Sequence, residues 1–269
     1  MTIRLSDIWP IAAPEGYKLH FARWNGENQP LEVWARDKRE WQGWQEYRPA
    51  RDDFNRPLIF SLIQFYHEPD TWLFGGVFRV LQRHRDRYEV ERAEEGENFL
   101  GRLKLRSSYR ERATRVKFEN HYSSLEVQEL LREPYSGRAF PGFEDIDLSF
   151  EELETLVRNS RPDWKSALSS IKGVYLISDV STGKRYIGSA YGDQGIWPRW
   201  CAYVASGHGG NVELRALVSD PTLEYCRKAF RFALLESRPA PTPDEVILAR
   251  EAFWKRILLT RSIDGLNRN

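Results

Sequence analysis

Apolar positions along this chain follow two periods. In the first half, residues 58–63 and 72–80 are nearly unbroken apolar and aromatic runs, parted by Glu68-Pro69-Asp70. Runs of that length bounded by turn residues predict strands. Further on, Arg102-Leu103-Lys104-Leu105-Arg106 alternates, the period of a strand with one basic face. Helical signals dominate the second half. Ser149 and Glu152 form a capping box opening a helix to about Asn159, and a second helical segment begins near Pro162. Val174, Leu176 and Ile177, the turn-forming residues from Asp179 to Lys184, and Tyr186-Ile187 then predict a hairpin. A helix follows over 196–206, with Pro198 in its first turn and Gly207 at its end, and a further strand lies near 229–235. Thr242 as cap, Pro243 in the first turn and Glu245 three residues after the cap open a last helix to about Leu259. These elements predict an α+β protein. A strand-rich domain covers 1–135, a linker with helices 136–168, and a small α/β sandwich with a mostly antiparallel sheet 169–269. The Pro/Gly-rich stretch 133–142 marks the connector.

Composition narrows the class. With 269 residues the chain is long enough for two compact domains. A mean hydropathy of −0.61, 29% charged residues and the absence of any apolar run of membrane length predict a soluble protein with no membrane partner. Residues 1–7 lack the apolar core of a secretory signal, and Cys201 and Cys226 are too few for a disulfide framework or a four-cysteine zinc site. A reducing cytoplasm is the expected setting. The net charge of +1 means that attraction to a polyanion would have to come from local patches.

The hairpin carries the candidate chemistry. Gly173-Val174-Tyr175, ten intervening residues and Tyr186-Ile187-Gly188 put two tyrosines on adjacent antiparallel strands. Such tyrosines either fill a core or aim two phenols at a cleft, where they would hold and activate a water facing a phosphate. On the next helix Arg199 and Tyr203 are four residues apart and share a face. A guanidinium keeps its charge and grips phosphate oxygens at two points. In the last helix Ile247, Trp254 and Leu258 form an apolar stripe with Glu251 near its middle. A carboxylate there must be paired, protonated or bound to a metal.

This ordered set resembles the GIY-YIG nuclease family over about residues 171–269, with Val174 where the name has isoleucine. The resemblance implies that Arg199 and Tyr203 match the family's arginine and the histidine or tyrosine that follows it. It implies also that Glu251 is the metal-binding glutamate, that Asn267 is a terminal active-site asparagine, and that His208 belongs to a segment seen in a bacterial branch. The plainer reading of His208 is a solvated turn residue. One magnesium ion, or manganese in its place, would be held by Glu251 with water and substrate phosphate. Tyr175, helped by Tyr203 or Lys184, would orient or deprotonate the attacking water. Tyr186 would hold that water or the phosphate, and Arg199 would stabilise the transition state.

Two features outside this set bear on target choice. Arg102, Lys104, Arg106, Arg110, Arg112, Arg115 and Lys117 face the single acid Glu111 across that stretch. They either track a nucleic-acid backbone or are solvated and neutralised by the acid-rich run 89–97. Six of the ten tryptophans precede residue 75. They build a core by default; alternatively Trp41, Trp44 and Tyr47 line a cage for an extruded or modified base. The expectation is a metal-dependent DNA endonuclease of restriction or phage-defence type, its target chosen by the first domain. Double-stranded DNA, modified or not, is its partner, and a homodimer or two sequential events would break both strands. A repair nuclease for branched or single-stranded DNA, or a non-cleaving nucleic-acid binder, are the alternatives.

Overall fold

The structure is a computed structural model and describes residues 2–218, 222–261 and 265–267. The chain divides into two units, Met1–Tyr135 and Ser136–Asn269.

The first unit is built on a mixed sheet. Its strands are β1 (Tyr17–Ala22), β2 (Leu58–Gln64), β3 (Thr71–Arg83), β4 (Tyr88–Arg92), β5 (Leu103–Arg106), β6 (Arg115–Lys117) and β7 (Glu126–Leu130), and its helices α1 (Leu5–Ile8), α2 (Pro30–Arg36) and α3 (Lys38–Glu46). The order is β6-β1-β2-β3-β5-β7, with β4 also on β3; β1 and β2 are parallel and the other pairs antiparallel. Ile59, Ile63, Leu73 and Phe78 pack with Leu31, Trp34 and Trp41 of the helices, while Phe60, Leu62, Phe74, Leu103 and Leu105 join a second cluster with Leu5 and Phe118. Two covered faces explain why the two apolar runs show no alternation.

The basic run does not form one face. Leu103, Lys104 and Leu105 are all buried, so β5 is covered on both sides. Lys104, 4% exposed, is paired with Glu68 and, at 2.8 Å, with Glu129. Arg102 donates to the carbonyls of Leu131 and Asn98, Arg110 pairs with Asp70, and Arg115 donates to the carbonyl of Tyr47. Arg106, Arg112 and Lys117 are exposed, but they stand on separate segments. Burial of a lysine demands carboxylate partners, and here they come from distant parts of the chain. The acid-rich run pairs elsewhere, Glu91 with Arg79 and Glu97 with Arg92.

In the second unit the elements are β8 (Asp147–Ser149), α4 (Phe150–Arg158), α5 (Pro162–Ser169), β9 (Ile171–Asp179), β10 (Arg185–Ala190), α6 (Trp197–Ser206), α7 (Val212–Leu217), α8 (Glu224–Ala229), β11 (Phe230–Pro239) and α9 (Asp244–Ile257). The sheet is antiparallel throughout, in the order β10-β9-β11-β8. Residues 136–168, read from sequence as a linker, fold into this unit. β8 is the fourth strand, and Leu153, Leu156, Trp164 and Leu168 join its core. The box at Ser149 forms, with Ser149 Oγ accepting from Glu152 N and Glu152 from Ser149 N. The box expected at Thr242 does not form: Pro243 caps α9 without a side-chain bond, and Asp244 accepts from Lys172 Nζ at 2.7 Å. Among the described residues no helix is long and apolar enough to cross a membrane.

Candidate functional site

Both glycines of the hairpin signature have a steric cause. Gly188 lies directly opposite Tyr175 across β9 and β10, and a Cβ on it would stand 2.6 Å from the Tyr175 hydroxyl oxygen. A Cβ on Gly173 would stand 2.2 Å from the Glu236 carbonyl oxygen of β11. Tyr186, two residues before Gly188, shares the sheet face of Tyr175.

On that face α6 supplies Arg199 and Tyr203, one turn apart. The Tyr203 and Tyr175 hydroxyls are 3.1 Å apart, and the Tyr203 ring lies edge-on to those of Tyr175 and Tyr186. Arg199 Cζ is 5.7 Å from the Tyr203 ring centre. Tyr175 and Tyr203 are 0% exposed and Tyr186 8%. Burial pushes the Tyr175 phenol up to about 12, the Arg199 charge working against it. Burial also raises Tyr203 and Tyr186; for Tyr186 the bonds of Tyr203 and Asn211 and the Arg199 charge oppose the shift. Arg199 itself would lose its proton more easily through burial, but the phenol oxygens more than offset this and hold it firmly charged.

Glu251 reaches the same strand from the other side. Ser189 pairs with Val174 and so faces away from Gly188, and its Oγ donates to Glu251. The second Glu251 oxygen accepts from Lys255 Nζ at 2.6 Å, one turn further along α9. A cavity of about 460 Å³ at this edge is lined by Tyr186, Asn211, Glu213, Glu251, Lys255 and Asn267. Neither Tyr175 nor Arg199 lines it; the Arg199 charge acts on Tyr186, which does.

Asn267 lines the cavity but spends its amide on the backbone. Its Oδ1 accepts from Ile187 N at 2.9 Å and its Nδ2 donates to Ile187 O at 2.8 Å, fastening this segment to edge strand β10. Lys184 does not line the cavity; it lies in the β9–β10 turn, two residues before Tyr186 and roughly 7 Å from it along the chain. His208 also lies outside the cavity lining, in a turn where its Nδ1 accepts from Gly210 N at 3.0 Å. Among the described residues no group of three or more histidines, cysteines and acids could hold a metal ion. The two carboxylates on the cavity, Glu251 and Glu213, do suit magnesium, which takes one or two and fills its shell with water and phosphate.

Sequence reasoning passed over Lys255 and Ser189. The lysine was there to be found, because it stands four residues after Glu251. Ser189 offered no signal, since its partner Glu251 lies 62 residues further along the chain.

No protein-family model matches the chain, and no curated protein matches it. Two solved structures do. One is a mutant form of the catalytic domain of intron endonuclease I-TevI, 24% identical, covering 37% of this chain and 94% of that one at a TM-score of 0.28. The other, the catalytic domain of homing endonuclease I-TevI, is 26% identical and covers 36% and 96% at the same TM-score of 0.28. A TM-score of that size carries no argument about what this chain does.

Proposed function

We propose that the second unit is a metal-dependent DNA endonuclease that hydrolyses a phosphodiester at the β10-edge cavity. One observation carries this reading: a phenol acted on by a permanently charged guanidinium, and a carboxylate held by a serine and a lysine, meet on one cavity although they come from two separate elements, β10 and α9.

On this reading the tyrosines divide the work. Tyr175 is sealed, and its hydroxyl is spent on Tyr203, so it positions rather than reacts. Tyr186 lines the cavity and would orient the attacking water; burial raises its phenol, and the Arg199 charge opposes that shift. Ser189 and Lys255 fix both oxygens of Glu251. Magnesium held by Glu251, with Glu213 beside it, would supply positive charge to the phosphoryl and leaving oxygens. Lys255 would offset phosphate charge from the same wall. Target choice by the first unit makes a restriction or phage-defence setting the proposed role.

Supercoiled plasmid nicking with magnesium or with chelator tests the reaction. Wild type should nick only with the ion, and Glu251→Ala and Arg199→Ala should each lose most of that activity. Undiminished nicking by Glu251→Ala overturns the assignment.

A further inference from the structure

The first unit contains a cavity of about 650 Å³, lined among others by His20, Trp24, Gly43, Trp44, Tyr47, Asp53 and Arg115. Its aromatic rings are left open to water: Trp24 is 60% and Tyr47 65% exposed, although a ring of this kind has a large apolar area to bury. Trp41, grouped with Trp44 and Tyr47 on sequence, is instead buried in the core with its Nε1 donating to the Gly75 carbonyl at 2.9 Å. Trp24, on the loop after β1, takes its place in the lining.

Polar groups stand among the rings. The Arg115 guanidinium lies 5.5 Å from the Tyr47 ring centre and 4.3 Å from that of Phe54. One of its nitrogens donates to the Tyr47 carbonyl; Nη1 is buried and has no hydrogen-bond partner among the described residues. His20 sits 2.6 Å by Nδ1 from the Gln45 amide oxygen, and burial keeps it neutral, so Nε2 is the ring's acceptor. The Asp53 carboxylate makes no hydrogen bond among the described residues and acts on Arg115 by charge alone.

This mixture selects an occupant. A phosphate would meet Asp53, and a quaternary ammonium would meet Arg115. A neutral, flat heterocycle whose edge carries donors satisfies the free Asp53 carboxylate and the His20 Nε2 acceptor while its faces stack on the rings. We propose that this cavity receives a single nucleobase extruded from a DNA strand, so that the first unit senses one base by its edge and not the duplex by its charge. The choice of DNA rests on the endonuclease reading of the second unit.

The test is anisotropy binding by the full chain, with calcium in place of magnesium to leave DNA uncut. The duplexes differ only at a one-nucleotide bulge, which carries adenine, guanine, cytosine, thymine, 5-hydroxymethylcytosine or an abasic residue. At least one base should bind about ten-fold tighter than the abasic duplex, the size expected for one stacked base. Trp24→Ala, in an exposed ring, and Gly43→Leu, at a position where a Cβ meets nothing within 4 Å, should both bring that ratio close to one. Equal affinity for all six duplexes overturns the proposal, as does a preference that both variants keep. The two readings fail separately: base preference without metal-dependent nicking sinks the hydrolase and leaves the pocket standing, and nicking without base preference does the reverse.

Discussion

The two units use the same side chains, tyrosine, tryptophan and arginine, in opposite ways. In the second unit Tyr175 and Tyr203 are closed off from water, their hydroxyls face each other, and Arg199 is held among their oxygens. In the first, Trp24 and Tyr47 stand open at a cavity whose guanidinium has an unmet donor. A sealed cluster can only orient what lies at its edge, and that edge is Tyr186. An open cluster has its stacking faces still to be used. What an aromatic group does is therefore decided by what covers it, not by its composition.

The largest test of this division is catalytic. If Tyr175 only positions while Tyr186 and Glu251 work at the cavity, Glu251→Ala should cut nicking by about 100-fold or more and Tyr186→Phe by a comparable factor. Tyr175→Phe, which removes one hydroxyl from a buried pair, should cost about 1 kcal/mol of stability and leave most of the nicking rate. Single-turnover nicking beside urea unfolding separates the two effects, and a catalytic collapse in Tyr175→Phe would reverse the roles.

A steric test comes next. Gly188→Ala drives a methyl to 2.6 Å from the Tyr175 ring and hydroxyl, and should lower stability by about 1–3 kcal/mol, as overpacking does. Gly173→Ala meets a backbone carbonyl at 2.2 Å, which cannot turn aside as a side chain can, and should cost at least as much. Thermal unfolding of both variants checks the order. In the open cluster no such penalty is available, because the cavity has room.

Where the sequence was readable, the cause was local. The hairpin announced itself because Asp179 builds its turn from neighbours, accepting from Ser181 N at 2.9 Å and from the Ser181 and Thr182 hydroxyls. Ser149 caps α4 for the same reason. Where reading failed, the deciding partner was remote. Lys104 looked like a phosphate contact until Glu68 and Glu129 claimed it, and Thr242 looked like a cap, whereas Pro243 takes that position and the Thr242 carbonyl accepts from Lys172, 70 residues earlier. β8 has three residues, too few for any period to show. The open cavity was only half visible, since Trp44 and Tyr47 sit on α3 and its end, but Trp24 and Arg115 arrive from other segments.

The units should also part company in acid. Burial lowers His20 to about 3, with the Arg115 charge acting in the same direction. A histidine with a depressed folded pKa adds stability that is complete above its unfolded value of about 6.5 and fades as pH falls toward the folded one. Between about pH 6.5 and 4 the first unit should thus lose roughly 1.4 kcal/mol per pH unit, with His121, lowered by burial, adding to it. In the second unit the lowered carboxylates Glu236 and Asp179 begin to act only from about pH 4.5 downward, at the foot of that window. Its phenols act at the other extreme. Tyr175, raised to about 12, gives stability that is lost as pH climbs from about 10. Hydrogen exchange of β1–β2 amides against β9–β10 amides, corrected for intrinsic rates, follows each unit. His20→Phe should flatten the acid loss in the first, and an equal loss in both units would refute the assignment.

The smallest effect is the sharpest probe of the open cluster. Gly43 lies inside α3, yet nothing stands within 4 Å of the Cβ it lacks, so neither packing nor backbone demands a glycine there. Gly43→Ala should then stabilise α3 by about 0.5–1 kcal/mol, through the helix preference of alanine alone. Slower exchange of α3 amides, with β9–β10 amides unchanged, is the expected reading. A glycine that weakens its helix and leaves space beside two exposed rings makes sense if the space is used. If alanine stabilises α3 and also weakens discrimination between base and abasic bulges, that room belongs to a ligand. If it stabilises without touching discrimination, the base lies elsewhere along the wall, and Gly43→Leu becomes the deciding variant.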